Sequence, residues 1–342
     1  MNNKAEKVGL FLGKFTIFHS GHQFVIDTAL REMDRLIVLI YDAPSSTKIP
    51  LDVRAAWIEK LYLNSPIEVI KGWCGPEDTG YSDGIKELQN EYIIKMTAGK
   101  GITHFYSSEP YGEHVSEALS CANRNVDIDR KTFPIAASVI RENPYRYREY
   151  IDPLVYADLI TNVTFVGAPS TGKTTIVQKL SSEYDTAWMP EYGRDYWEKH
   201  QVGRRLEPWQ LTEIAQGHLL CEQEKLFEAN QYLFTDTNAI TTYMFAMEYH
   251  GFAEERLIAL AKSAERRYDL VFLCADDIPY DDTWDRSGDT NRRIFQQKIK
   301  SDLLQRNIPF ITLTGSLDAR INTVKKVLDK FSKWSSLGDE IQ

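Results

Sequence analysis

The chain has 342 residues, enough for two domains that each bury a core. Hydrophobic residues make up 43% and charged residues 26%, and the formal net charge of −9 argues against a protein that coats nucleic acid. The N-terminal residues 1–7 are polar and charged, and no apolar run approaches the ~18 residues of a membrane span, so a cytoplasmic, soluble chain without membrane or nucleic-acid partners is expected.

Residues 8–12 form a short apolar run that reads as a buried strand, followed by a loop with Gly13 and a helical stretch over 21–32. Another near-continuous apolar run, 36–40, completes a β-α-β unit, and 67–70 and 104–106 read as later strands of the same sheet. Residues 141–158 are rich in Tyr, Pro and Arg and carry no strand signal, which places the domain junction near 152–160 and predicts domains 1–155 and 156–342. A second β-α-β pattern then starts, with a strand at 162–166, a Gly-rich turn and a helix over 173–182; further strands are predicted at 232–235, 270–273 and 310–313. The expected fold is α/β, two doubly wound parallel-sheet domains, with ligands at the carboxyl ends of the strands. The loop motifs of the halves differ, so the chain reads as a fusion rather than a duplication. Cys74, Cys121, Cys221 and Cys274 form no CxxC pair and read as isolated reduced thiols.

Gly167-Ala-Pro-Ser170-Thr171-Gly172-Lys173-Thr174 fits GxxxxGK[ST] at every fixed position, with a strand before it and a helix after it. Backbone N–H groups of such a loop point at phosphate oxygens, and the helix N-terminus adds its positive dipole end. Lys173 would reach the β- and γ-phosphates of ATP and Thr174 would hold Mg²⁺, with Ser170, Thr171 and Thr175 in the same nucleotide-binding set. Asp236, after the strand 232–235, is either a second Mg²⁺ position or a helix N-cap. Glu191 follows another short apolar run and is either the base for a substrate hydroxyl or a surface acid paired with Arg194. Arg286, Arg292 and Arg293 belong either to a lid over the transferring phosphoryl group or to a solvated loop.

Near the other end, His19-Ser20-Gly21-His22 directly follows the first strand, with Gly13, Lys14 and Phe15 upstream. Two imidazoles at a helix N-terminus can donate hydrogen bonds to a polyphosphate, where charge builds during nucleotidyl transfer. The competing reading, a metal held by the two histidines, lacks a suitable third ligand nearby in sequence. Ser138 and Arg141 form a second cluster suited to a triphosphate.

HxGH after the first strand, a later Ser–x–x–Arg and a downstream P-loop, in that order, resemble the NadR-type bifunctional enzymes. Ser107-Ser108-Glu109-Pro110, Phe133-Pro134-Ile135, Glu191-Tyr192-Gly193-Arg194 and Thr235-Asp236-Thr237 extend the match over most of the chain. The resemblance implies a Rossmann-like nicotinamide-mononucleotide (NMN) adenylyltransferase joined to a P-loop ribosylnicotinamide kinase. ATP and Mg²⁺ are the implied cofactors, and nicotinamide riboside, NMN and NAD the other small-molecule ligands. It also implies that Gly13, Lys14, Phe15, His19, His22, Ser138 and Arg141 bind ATP, and that Tyr192 and Arg194 belong to the kinase substrate site. Trp73 is either a stacking platform for the nicotinamide ring or a buried loop tryptophan. The family's I-S-x-T-x-x-R reads Ile135-Ala136-Ala137-Ser138-Val139-Ile140-Arg141 here, so Ala136 offers no hydroxyl; one lost hydrogen bond to a charged phosphate costs ~1.5–3 kcal/mol. Some family members carry an N-terminal helix-turn-helix module, which is not expected before a strand at residue 8. A homo-oligomer is left open, as are flavin or pantetheine substrates on the same architecture and an N-terminal NAD or ATP sensor that regulates the kinase.

Overall fold

The structure, a computed structural model, describes residues 5–77, 82–109, 112–203, 206–279 and 289–335. They fall into two compact units, one ending at Val155 and the other spanning Tyr156–Lys333, with Trp334 and Ser335 grouped with the first. No helix among the described residues is long and apolar enough to cross a membrane.

In the first unit, β1 (Val8–Gly13), β2 (Arg35–Tyr41), β3 (Ile67–Gly72), β4 (His104–Ser107) and β5 (Ala122–Asn125) form one parallel sheet, in the order β3-β2-β1-β4-β5. The helices are α1 (Ser20–Glu32), α2 (Leu51–Leu61), α3 (Asp83–Met96), α4 (Gly112–Ala118) and α5 (Ala137–Glu142), and α6 (Pro153–Leu159) leads into the second unit. Leu36 to Ile40 of β2 are fully buried, as central strands covered by helices on both faces must be. Ile93 of α3 and Val115 of α4 pack with Ile37 and Leu39 on one face, and α1 (buried Val25, Ile26 and Ala29) and α2 (buried Leu51, Ala55 and Ile58) also lie against β2. The edge strand β5 is different. All four of its residues are exposed, and it is held by backbone pairing with β4 and by the bonds of Arg124 to Glu32 and of Ser107 to Asn125.

The second unit holds β6 (Thr161–Val166), β7 (Trp188–Met189), β8 (Tyr232–Asp236), β9 (Leu270–Cys274) and β10 (Ile311–Leu313), all parallel, in the order β10-β9-β6-β8-β7. Its helices are α7 (Lys173–Glu183), α8 (Tyr192–His200), α9 (Pro208–Glu228), α10 (Ala239–His250), α11 (Glu255–Ala264), α12 (Asp289–Gln305) and α13 (Leu317–Leu328). Phe165, Phe234 and Phe272 pack with Ile176 and Leu180 of α7 and Val324 of α13 on one face. On the other face, Val166, Val271 and Leu273 pack with residues of α9, α10 and α12.

The strand order fixes where ligands can sit. In the first sheet the chain runs from β1 out to β3 and returns beyond β1 to β4, so the switch point lies between β1 and β4. In the second it runs out to β7, returns to β8 and crosses to β9, so the switch point lies between β6 and β8. Both phosphate-type motifs leave the carboxyl end of a strand at a switch point, where open α/β sheets leave a crevice.

Candidate active sites

The histidine site is built by the turn from β1 into α1. His19 is the N-cap of α1, and its Nδ1 accepts from the Gly21 N–H at 3.1 Å. The His19 N–H in turn donates to Nδ1 of His22 at 3.4 Å, a reciprocal cap made by two imidazoles. Because each Nδ1 accepts, the proton of each neutral ring lies on Nε2. Gly21 is required: a Cβ there would meet His19 Cε1 at 2.9 Å and Nδ1 at 3.1 Å. Burial, then the charge of Arg130, pushes His19 down to about 4. Burial, then His19, holds His22 well below its ordinary value. Both rings are therefore uncharged donors at neutral pH, and the buried Nε2 of His19 has no partner among the described residues. A buried donor without an acceptor is costly, and an arriving phosphate oxygen satisfies it.

Aromatic rings fix His22. Its centroid lies 3.8 Å from His19, 4.9 Å from Phe15 in an edge contact and 5.6 Å from Phe18 in a stacked one. Phe15 is buried at a left-handed φ of 44°, so it shapes the site through His22. Its ring lies over Gly13, where a Cβ would meet Phe15 Cζ at 3.1 Å. Lys14 donates from Nζ to Ser46 Oγ at 3.0 Å and to the Glu77 carbonyl at 3.2 Å. Ser138 and Arg141 are exposed on α5, and Ala136 caps that helix without a side-chain bond. Trp73, just after β3, is 51% exposed and so is not a buried loop residue.

One side chain here was not singled out from sequence. Arg54 of α2 is fully buried and donates to four carbonyls: Lys14, Tyr41 (2.8 Å), Asp42 and Ile49 (3.0 Å). It ties the loop after β1 to the end of β2. Its sequence signal is slight, a single arginine beside Ala55, Ala56 and Trp57.

In the second unit the P-loop segment 167–174 runs from the end of β6 into the first turn of α7. Gly167 (φ 145°) and Gly172 (φ 80°) occupy backbone regions that favour glycine, and a Cβ on Gly167 would lie 2.7 Å from the Cys274 carbonyl. Ser170 shares the left-handed region at φ 62°, Thr171 Oγ1 donates to the Ala168 carbonyl at 2.8 Å, and Thr175 is exposed. Lys173 is buried, and its Nζ donates to the Gly167 and Ala168 carbonyls at 3.0 and 3.1 Å. The loop is held from outside by Gln296, which accepts from the Ala168 N–H at 2.8 Å and donates to the Cys274 carbonyl at 2.9 Å. It is also held by buried Arg320, which donates to the carbonyls of Thr171 (2.8 Å), Gly315 (3.0 Å) and Ala275 (3.1 Å) and pairs with Asp277. Sequence reading missed both braces, because their partners are backbone atoms from distant segments.

Asp236 ends β8 beside the loop. Thr174 Oγ1 donates to its Oδ2 at 2.5 Å, while the buried Oδ1 has no partner among the described residues. Asn238, not Asp236, caps α10, accepting from the Thr241 N–H at 3.1 Å. Burial, then the nearby Glu191 carboxylate, pushes Asp236 up to about 6, opposed by Lys173, Thr174 and Arg194. The fold therefore gathers Lys173, Thr174, Glu191, Arg194 and Asp236. Glu191 pairs with Arg194 at 3.6 Å, and its carboxylate is close enough to Asp236 to act on it. Tyr192 lies against α9, where a Cβ on Gly217 would come within 2.5 Å of its ring. His218, buried on α9, was not singled out from sequence; its Nε2 has no partner among the described residues. A hydroxyl and a carboxylate with one unpartnered oxygen form a hard oxygen set that fits a divalent cation.

Arg286 and the acidic stretch before it lie outside the described residues. Arg292 is buried and donates to the Asp276 and Ile278 carbonyls, bracing the segment after β9, and Arg293 is exposed. All four cysteines are free thiols.

Residues 10–143 match the cytidylyltransferase-like family model, and residues 162–320 match an AAA domain model. The chain is 30% identical over 322 residues to the trifunctional NAD biosynthesis/regulator protein NadR of Escherichia coli (strain K12), covering 89% of this chain and 78% of that protein. It is 29% identical over 326 residues to the protein of the same name from Salmonella typhimurium, covering 90% and 79%. Among solved structures, a NadR protein in complex with NAD and AMP-PNP superposes with a TM-score of 0.56 at 21% identity, covering 97% of this chain and 99% of that one. A NadR protein in complex with NR gives 0.55 at 22%, covering 95% and 96%. At these identities the structural likeness is one of fold. The sequence relatives carry the assignment: the chain belongs to the NadR family.

Proposed function

We propose that this chain makes NAD in two ATP-dependent steps, the second unit phosphorylating nicotinamide riboside to NMN and the first transferring an adenylyl group from ATP to NMN. The observation that carries the reading is the pair of buried unpartnered atoms, His19 Nε2 in one unit and Asp236 Oδ1 in the other, each beside a phosphate-type loop. Membership of a family whose relatives are named for NAD biosynthesis supports it.

In the kinase step the backbone N–H groups of the loop 167–174 cradle the β- and γ-phosphates. Lys173 leaves the Gly167 and Ala168 carbonyls for phosphate oxygens, which costs little because one set of acceptors replaces another. Thr174 and Asp236 would hold Mg²⁺, which would neutralise phosphate charge. Glu191 accepts the proton of the riboside hydroxyl as its oxygen bonds to the γ-phosphorus and ADP leaves. Tyr192 and Arg194 flank the acceptor. In the adenylyl step a phosphate oxygen of NMN bonds to the α-phosphorus of ATP, and pyrophosphate departs with the bridging electron pair. His19 and His22 donate their Nε2–H groups to phosphate oxygens, stabilising charge that grows in the transition state. Gly13, Lys14, Ser138 and Arg141 complete the ATP site, and Trp73 offers a face for the nicotinamide ring.

Incubation of the chain with ATP, Mg²⁺ and nicotinamide riboside should give NMN, then NAD. Absence of both products, or turnover of flavin or pantetheine substrates instead, would overturn this assignment.

A further inference from the structure

The loop between β5 and α5 is pinned beside the histidine site. The Val126 N–H donates to the Ser107 carbonyl at the end of β4, 2.8 Å away. The Phe133 ring packs on Phe24 of α1, centroids 5.5 Å apart. Between these anchors the Asp127 carboxylate accepts from the N–H groups of Lys131 (2.8 Å), Thr132 (3.1 Å) and Phe133 (3.1 Å). Arg130 sits inside this turn at φ 51°, a left-handed backbone that costs a non-glycine residue free energy. Because β4 is the neighbour of β1 across the switch point, the turn and the start of α1 border one crevice. The Arg130 guanidinium is exposed and makes no ion pair among the described residues, yet its charge reaches His19.

The chemistry leaves a gap there. His19 and His22 supply directional donors but no net positive charge, since both rings are held neutral. Of the neighbouring cations, Lys14 is bonded to Ser46 and Glu77, Lys131 pairs with Asp129 at 2.8 Å, and Arg141, exposed on α5, is a single guanidinium for a triphosphate that carries several charges. When the α–β phosphate bridge breaks, negative charge collects on the departing pyrophosphate. A guanidinium fork binds two such oxygens at once.

We propose that Arg130 is a further catalytic residue of the His19/His22 site, binding the β- and γ-phosphates of ATP and the pyrophosphate that leaves. The proposal rests on the adenylyl-transfer reading of that site. It takes no proton: the bond from the NMN oxygen to the α-phosphorus forms as the bridging bond breaks, and Arg130 holds the product oxygens by N–H donation alone.

The test is steady-state kinetics on the full chain carrying Arg130→Asn. Asparagine enters the left-handed region more readily than most residues, so the turn is kept. The expected result is a ~10–100-fold loss of kcat/KM for ATP in NAD formation, with pyrophosphate inhibition weakened by a similar factor. Riboside phosphorylation in the same sample stays at the wild-type rate, and Arg130→Lys recovers part of the loss. Wild-type kinetics and wild-type pyrophosphate inhibition in Arg130→Asn, with His22→Ala inactive, would overturn the role of Arg130 while leaving the histidine site intact. NAD formation that survives His22→Ala would remove the site itself. If Arg130→Asn lowers the thermal midpoint, Arg130→Lys decides: weakened pyrophosphate inhibition supports the bidentate contact, and unchanged inhibition opposes it.

Discussion

At the start of α1 the buried atom without a partner is a donor, His19 Nε2; at the end of β8 it is an acceptor, Asp236 Oδ1. Both groups have been driven toward their uncharged forms by burial, His19 down to about 4 and Asp236 up to about 6. The two sites therefore lack opposite things. The first lacks an anion and offers neutral imidazole donors to it. The second already has backbone donors and Lys173 for phosphate, and what it lacks is a cation at Asp236. On the proposed function, that difference separates the site assigned to adenylyl transfer from the site assigned to phosphoryl transfer.

The sharpest way to break this comparison is to disable one site and read both reactions. Lys173→Ala should cut riboside phosphorylation by ~10²–10³-fold, since it removes a charged donor to the transferring group, while NAD formation from supplied NMN stays within about twofold. Release of ADP and of pyrophosphate, measured separately, checks it. His22→Ala should do the reverse, lowering adenylyl transfer ~10²-fold with the kinase rate unchanged. Loss of both activities in either variant would mean that the sites are not independent.

The braces give a smaller effect on stability. Arg320→Met leaves the Thr171, Ala275 and Gly315 carbonyls and Asp277 without their donor, and should destabilise the second unit by ~2–4 kcal/mol in denaturant unfolding. A change below about 1 kcal/mol would show that the loop 167–174 holds its shape without Arg320.

The smallest effect is in the pH profile, and its sign differs between the sites. Asp236 has a raised folded value, so the folded state keeps its proton longer than the unfolded state does. Its contribution is therefore present at low pH and is lost as pH rises from about 4 to about 6. In the ligand-free protein Asp236→Asn should then raise stability by on the order of 2 kcal/mol at pH 8 and leave it unchanged below pH ~4. His19 has a lowered folded value, so the unfolded state takes up the proton first and stability is lost as pH falls from 6.5 to about 4. His19→Gln should flatten that acid limb in calorimetry. An acid limb unchanged by His19→Gln, or no gain from Asp236→Asn at pH 8, would contradict the burial of these groups.

Sequence carried the frame of both sites because their motifs are local. The apolar runs of β1, β2, β6 and β8 and the two phosphate-type loops each lie within a dozen residues, and helix or strand period marks them. β5 was not legible, since Ala122 to Asn125 is exposed and polar and is held by pairing with β4 and by the bonds of Arg124 and Asn125. Arg54, Gln296 and Arg320 drew no reading from sequence, because their partners are backbone groups of remote segments. Asp236 stayed ambiguous between cap and metal position because both roles suit an acid after a strand, and only the structure gives the cap to Asn238. Arg130 had no motif at all. Its place depends on the Asp127 turn and on the Phe24–Phe133 contact, neither of which spacing reveals.

The most direct measurement follows NMN and NAD together in the two single-site variants supplied with ATP, Mg²⁺ and nicotinamide riboside. His22→Ala should accumulate NMN and make no NAD, whereas Lys173→Ala should make neither until NMN is added and then make NAD. NAD formed by His22→Ala, or no NAD from Lys173→Ala given NMN, would contradict the division of the two reactions between the His19/His22 site and the loop 167–174.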